Sequence, residues 1–173
     1  MLATILKVRL YGDSCLRKKS VVVTSIGAAE RMLIISMIAT MHEHKGIGLA
    51  APQVGINQRI LVADIADGKG PIVVINPQIL KRYGSNYMEE GCLSIPGVIV
   101  NIRRSQEVLV RYRDENNKEI ENIFVDLLAR VIQHETDHLA GKLIIDYASL
   151  LQKRKLKEQL KNIHQEHSKN NSS

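Results

Sequence analysis

The chain is predicted to fold as a single α+β domain, with antiparallel sheets packed around a central helix that carries His134-Glu-Thr-Asp-His138. Three observations predict this class. β-rich runs cluster in the middle of the sequence, segments with a 3.6-residue apolar period flank them toward both termini, and a polar turn joins the last two runs as a hairpin loop does.

The N-terminal helix is expected over residues 28–44, where Leu33, Met37 and Met41 recur on one face with Ile34 and Ile38 beside them. Gly46 and Gly48 end it. Strands are expected at 59–65, 72–75, 107–112 and 119–125, and the third alternates, with Val108, Val110 and Tyr112 opposing Leu109 and Arg111. Residues 114–118 (Asp-Glu-Asn-Asn-Lys) have the composition of a hairpin turn. Asp126 is read as the N-cap of a second helix running to residue 140, and Gly141 stops it. A C-terminal helix is expected over 149–165, with Leu150, Leu151, Leu156, Leu160 and Ile163 as its apolar residues. Residues 1–165 form the domain, and 166–173 are read as a flexible tail. A chain of 173 residues suffices for one sizeable core and would be cramped as two.

Composition narrows the function classes. Hydrophobic residues make up 45% and charged residues 24%, the balance of a globular chain. Two cysteines, Cys15 and Cys92, cannot build a disulfide framework, so a cysteine that matters should act as a thiolate. The net charge of +6 is concentrated at one end: residues 153–173 hold six Lys/Arg against Glu158 and Glu166. With one Phe, five Tyr and no Trp, a base-stacking platform is not expected, and no DNA partner is. The most apolar stretch, 21–41, is interrupted by Glu30 and Arg31 and falls short of the ~20 residues a membrane span needs. The N-terminus lacks the basic leader and apolar block of a signal peptide, so a cytoplasmic location is expected; a monomer is expected as well.

The strongest chemical signal is the HExxH string at His134-Glu-Thr-Asp-His138. Residues four apart share one helical face, so both imidazoles can reach one metal ion with Glu135 next to it as a proton carrier. Two histidines do not complete a catalytic site, which usually has three protein ligands and an open position. In the extended HExxHxxGxxH pattern the third ligand would fall at residue 144, which is Ile144. The downstream acids Glu158 and Glu166 lie in the basic tail helix, where solvated ion pairs are the plainer reading. Cys92, in Glu89-Glu-Gly-Cys-Leu-Ser-Ile-Pro96, is the natural upstream candidate, although a lone cysteine is more often a buried small hydrophobe. That segment is read as lying between strands, with Gly91 permitting close backbone approach and Pro96 ending the run. Gly46-Ile-Gly-Leu-Ala-Ala-Pro-Gln53 is a third unusual segment. Its glycines allow another chain or a ligand to come close, and Gln53 is a polar group in an apolar run that needs a partner.

Together the three segments resemble the motifs of the peptide deformylase family, GxGLAAxQ, EGCLS and QHExDHL, in that order. They stand here as Gly46-Ile-Gly-Leu-Ala-Ala-Pro-Gln53, Glu90-Gly-Cys-Leu-Ser94 and Gln133-His-Glu-Thr-Asp-His-Leu139. The resemblance covers about residues 4–165 and includes the basic C-terminal helix of one bacterial subgroup. It implies a bacterial metal-dependent hydrolase that removes the formyl group from the N-terminal formylmethionine of nascent polypeptides. By the same resemblance Cys92, His134 and His138 would hold one divalent ion, Fe(II) in the cell, with Zn, Ni or Co possible after purification. Glu135 would be the acid/base, and Gln53 and the Leu93 backbone N–H would polarise the formyl oxygen. Gly46, Ile47 and Gly48 would offer an edge to the peptide; Met88, Leu127, Arg130 and Val131, with Ile47, would line the methionine pocket; Glu90 and Gly91 fall among the substrate-binding positions. The basic helix would contact the ribosome. Three positions depart from the pattern: Gly12 stands where the N-terminal turn usually carries Pro, Asp126 where many relatives have Gly, and Ile99 where some have Arg. Two other classes compete. One is a zincin-like endopeptidase with Glu158 as third ligand, the other a non-catalytic ribosome-associated module, against which an intact Glu135 argues.

Overall fold

The computed structural model describes residues 3–170. Helix α1 (Ala28–Glu43) is followed by strands β1 (Gly48–Ala50), β2 (Ile60–Ala63), β3 (Ile72–Tyr83), β4 (Asn86–Cys92), β5 (Ile95–Arg104), β6 (Glu107–Arg113) and β7 (Glu119–Val125). Helices α2 (Asp126–Leu139) and α3 (Leu150–Asn170) complete the chain. All named strand pairs are antiparallel, in a five-stranded sheet of order β1-β2-β3-β6-β7 and a two-stranded β4-β5 hairpin. The α+β class with antiparallel sheets is as expected.

Side-chain alternation explains the layering. Along β2 and β3, Leu61, Ala63 and Val74 point to one face of the large sheet and meet Ala129, Val131, Ile132 and Leu139 of α2. Ile60, Val62, Val73 and Ile75 point to the other face and meet Ile34, Met37 and Met41 of α1. Both faces of the strands are thus covered by helices, which is why β2 is a continuous apolar run. A third cluster joins the hairpin to the C-terminal segment: Val98, Val100 and Ile102 of β5 pack with Leu143, Ile144 and Ile163. Among the described residues no helix is long and apolar enough to cross a membrane.

Several boundaries differ from expectation. β3 runs on to Tyr83 past Pro77, because the pairing with β6 shifts register between Ile75 and Gln78 and Asn76 turns through φ 54°. The hairpin β4–β5 was not foreseen, since Gly91, Ser94, Pro96 and Gly97 resemble loop composition. Pro96 does not end a run but lies within β5, where the β4–β5 ladder is irregular and Pro96 has no register partner among the described residues, so the missing N–H is tolerated. The tail helix continues through Asn170, since no Gly or Pro follows to stop it. Of the expected flexible tail, residues 171–173 lie outside the described residues.

Asp126 is not an N-cap. Val125 takes that place without a side-chain bond, and Asp126 opens the helix at φ 51°, in the left-handed region where glycine is at ease and Asp is tolerated. Asp126→Val, with a branched Cβ, is expected to cost about 1–2 kcal/mol, read as a fall of about 3–6 °C in the melting temperature.

Candidate metal centre

Three elements carry the site. α2 presents His134 and His138 one turn apart, Cys92 ends β4 at the hairpin turn, and Gln53 sits in a short 3-10 turn (Ala51–Val54) after β1. One donor atom each from Cys92, His134 and His138 lie within 4.8 Å of one another, the one such group among the described residues. Cys92 Sγ and His138 Nε2 are 3.3 Å apart. Metal bonds of 2.0–2.3 Å give a tetrahedron with edges of about 3.3–3.8 Å, so the spacing suits a small divalent ion. One soft sulfur and two imidazoles are also a donor set that such ions accept. Glu158, the alternative third ligand, is not in this group.

The surroundings fix how each donor points. Glu90 Oε2 accepts from His134 Nδ1 at 2.9 Å, which places the proton on Nδ1 and leaves Nε2 with a lone pair. Arg104 holds both Glu90 oxygens, at 2.7 and 3.0 Å, and Arg130 Nη1 donates to Glu90 Oε1 at 2.6 Å. Burial would raise the Glu90 carboxyl, but its hydrogen bonds with His134 and Arg104 outweigh it and bring the pKa down to about 2, so Glu90 is ionised at neutral pH. The chain of contacts extends outward: Arg104 Nη1 donates to Asp137 Oδ2 at 2.8 Å, and Tyr147 donates to the same oxygen at 2.7 Å. Gln53 Oε1 accepts from the Ala50 N–H at 2.8 Å, which turns Nε2 toward Cys92 Sγ (3.6 Å) and Ser94 Oγ (3.3 Å). Gln53 thereby has the partners its burial demands.

Glu135 is 4% exposed, and its Oε2 is buried without a hydrogen-bond partner among the described residues. Burial pushes its pKa up to about 7, against the lowering influence of His134 and Arg104. A carboxyl poised near neutrality beside a metal-type donor set is suited to taking and returning a proton. Cys15 is different. Burial and its hydrogen bond with Asp13 push its thiol up to about 12, and its Sγ donates to the Pro52 carbonyl at 3.3 Å, so it is an inert core thiol.

A cavity of about 630 Å³ opens beside these groups. All the site residues implied by the resemblance line it except His138, which lies behind, 1% exposed. Arg130 is on its wall, but its guanidinium is committed to Glu90, Ile102 O and Asn86. Gly91 is not required for close packing; a Cβ there would meet only Val98 O at 3.9 Å. Gly48 is: its Cβ would stand 2.5 Å from Glu135 Oε1 and 2.7 Å from Val131 Cγ1. Gly48→Ala is expected to fold yet displace Glu135 and lower hydrolysis about 10- to 100-fold, read from steady-state kinetics beside an unchanged circular dichroism spectrum. Sequence reasoning missed Arg104 and Asp137 and the bracing role of Glu90. The apolar alternation Val98, Val100, Ile102 was the available signal for the strand that presents Arg104.

An α+β scaffold that brings two helical histidines, a cysteine and a buried glutamate to one open cavity is that of a metal-dependent hydrolase. Comparison with known proteins gives the particular kind. The family profile of polypeptide deformylase matches residues 5–154, so the chain belongs to that family, whose members remove the N-formyl group from nascent polypeptides. It is 51% identical over 141 residues to the peptide deformylase of Pseudothermotoga lettingae, covering 81% of each chain. The crystal structure of a peptide deformylase from Legionella pneumophila superposes with a TM-score of 0.89 at 37% identity, covering 95% of this chain and 98% of that one. That of the Synechococcus elongatus peptide deformylase in complex with actinonin superposes with a TM-score of 0.85 at 41% identity, covering 91% and 90%.

Proposed function

We propose that formylated N-termini are hydrolysed in the 630 Å³ cavity, with Cys92, His134 and His138 holding one divalent ion, Fe(II) in the cell. The convergence of these three donors beside the buried carboxyl of Glu135 carries the reading. When bound, the ion supplies Lewis-acid chemistry, easing deprotonation of a water and polarising a carbonyl. Glu135 takes the proton of the attacking water and passes it to the departing amine, as a carboxyl near neutrality can do in both directions. Gln53, its Oε1 tied to Ala50 N–H, presents Nε2 beside Cys92, where one N–H turns from Sγ to the oxyanion and donates to it together with the Leu93 N–H; one such donor is typically worth ~3 kcal/mol.

Substrate placement follows from the sheet. Among the described residues β1 is an edge strand, paired only with β2, so Gly46, Ile47 and Gly48 can receive an extended peptide as an added strand. Ile47, Met88, Leu127 and Val131 supply apolar walls for methionine; Arg130 adds its aliphatic stem, because its charge is already engaged. Glu90 serves the site through His134, and Gly91 leaves room beside it. Ile99 is 58% exposed on β5, so no cation stands there to meet substrate residues beyond methionine. The reading is completed by a monomer acting in the bacterial cytoplasm.

Anaerobic assays of formyl-Met-Ala-Ser and acetyl-Met-Ala-Ser test the reading: formate release from the first alone is expected. Turnover of the acetyl peptide or internal cleavage of unformylated peptides would overturn it, as would metal retained by Cys92→Ser and lost by Glu158→Ala. The basic face of α3 is read as a ribosome contact. Ile163 is buried in the third cluster, with Leu156 and Leu160 packed against it, so truncating α3 would disturb the fold. Charge reversal at Lys155 and Lys161 is the cleaner test, with a salt-dependent loss of ribosome affinity expected.

A further inference from the structure

A second cavity, of about 340 Å³, shares no lining residue with the first. It lies where the end of β3, the end of β5, α2 and the turn after α2 meet, and its cations come from three of these: Arg82, Arg103 with Arg104, and Lys142. The single carboxylate lining it, Asp137, is already bound by Arg104 and Tyr147. Arg104 is further neutralised by Glu90. Arg82, Arg103 and Lys142 have no carboxylate within ion-pair distance among the described residues.

The two free guanidiniums are nonetheless aimed. Arg82 Nη1 donates to Gln133 Oε1 at 3.1 Å, and Arg103 Nε donates to Ser85 Oγ at 2.9 Å. Gln133 is itself fixed, its Nε2 donating to the carbonyls of Ser105 and Ala129. Neutral acceptors of this sort orient a cation without cancelling its charge, so less side-chain freedom is lost when an anion arrives. Like charges gathered in a concavity also deepen the positive potential there, since the protein walls focus the field.

We propose that this cavity binds a small phosphate-class anion, held by the forked N–H groups of Arg82 and Arg103 and by the Lys142 ammonium. The oxygens of a tetrahedral anion match the planar guanidinium fork, and each charge-assisted bond is about twice as strong as a neutral one. A nucleic-acid strand is a poorer occupant: the one aromatic residue lining the cavity, Tyr147, has its hydroxyl committed to Asp137, and no second ring completes a stacking platform.

Amide NMR of the metal-loaded protein, titrated with sodium phosphate against sodium chloride at constant ionic strength, tests the proposal. Saturable shifts at Ser105, Lys142 and the Arg103 side-chain N–H are expected with phosphate only. The double variant Arg103→Gln, Lys142→Gln is expected to weaken binding about tenfold or more, while formate release measured without phosphate is unchanged. Shifts that fail to saturate, that appear equally in chloride, that fall only around the metal cavity, or that persist in the double variant would each overturn it. So would an RNA oligonucleotide that shifts these residues where phosphate does not.

Discussion

Glu135→Ala is expected to abolish deformylation by about a thousandfold while the protein keeps its metal and its fold. The donors Cys92, His134 and His138 are untouched by the change, and Glu90, which braces His134, does not contact Glu135 through any hydrogen bond. What disappears is the one buried carboxyl with a pKa near 7 beside them. Burial leaves the Glu135 carboxyl poorly solvated, so native folding carries a desolvation cost that the variant relieves. The urea midpoint should therefore hold steady or rise, the sign expected where a site is built at the expense of stability. Formate release, metal analysis and urea unfolding on one preparation decide it. Activity within tenfold of the native chain would remove Glu135 from the chemistry, and loss of metal would make it a structural residue.

The fold was legible where local pattern and tertiary burial agree. In β6, Val108, Val110 and Tyr112 alternate in sequence and all three are buried in the α2-facing core. α1 was legible for the same reason, since Ile34, Met37 and Met41 form its buried stripe. The candidate metal donors could be gathered because two of them share a helix turn and the third sits in a distinctive motif. What could not be read were features whose cause lies far away in the chain. Glu89 and Glu90 are adjacent and chemically identical, yet the β4–β5 register sends Glu89 outward and turns Glu90 into the interior, where it pairs with side chains 14, 40 and 44 positions away. No periodicity marks that difference. Pro96 and Gly97 argued for a loop because composition reports local preference, while the hairpin is held by Val98, Val100 and Ile102 packing on the C-terminal segment. Asp126 misled in another way: Asp favours N-caps and also tolerates left-handed backbone, and only the backbone angle separates the two uses.

Glu90→Ala is expected to be the most destabilising single change at the site. Glu90, Arg104 and Arg130 are 6%, 6% and 5% exposed, and one carboxylate serves both guanidiniums and the Nδ1 of His134. Removing it leaves two buried cations facing each other with Asp137 as the nearest remaining anion, bonded to Arg104 alone of the pair. Breaking a buried ion pair from one side typically costs about 3–5 kcal/mol, because the surviving charge stays desolvated. The same change frees the His134 ring, and loss of such a bracing partner typically weakens a metal site about 10- to 100-fold. Glu90→Gln separates the two effects. It retains the volume and an acceptor oxygen for His134 but not the charge, so stability should fall nearly as far while metal affinity recovers in part. Urea midpoints at constant m-value report the first quantity, and competition with a chromogenic chelator reports the second. If Glu90→Ala unfolded at the native urea concentration, the charge network would be ornamental to the fold; if it bound metal with native affinity, the orientation of His134 would have to come from packing alone.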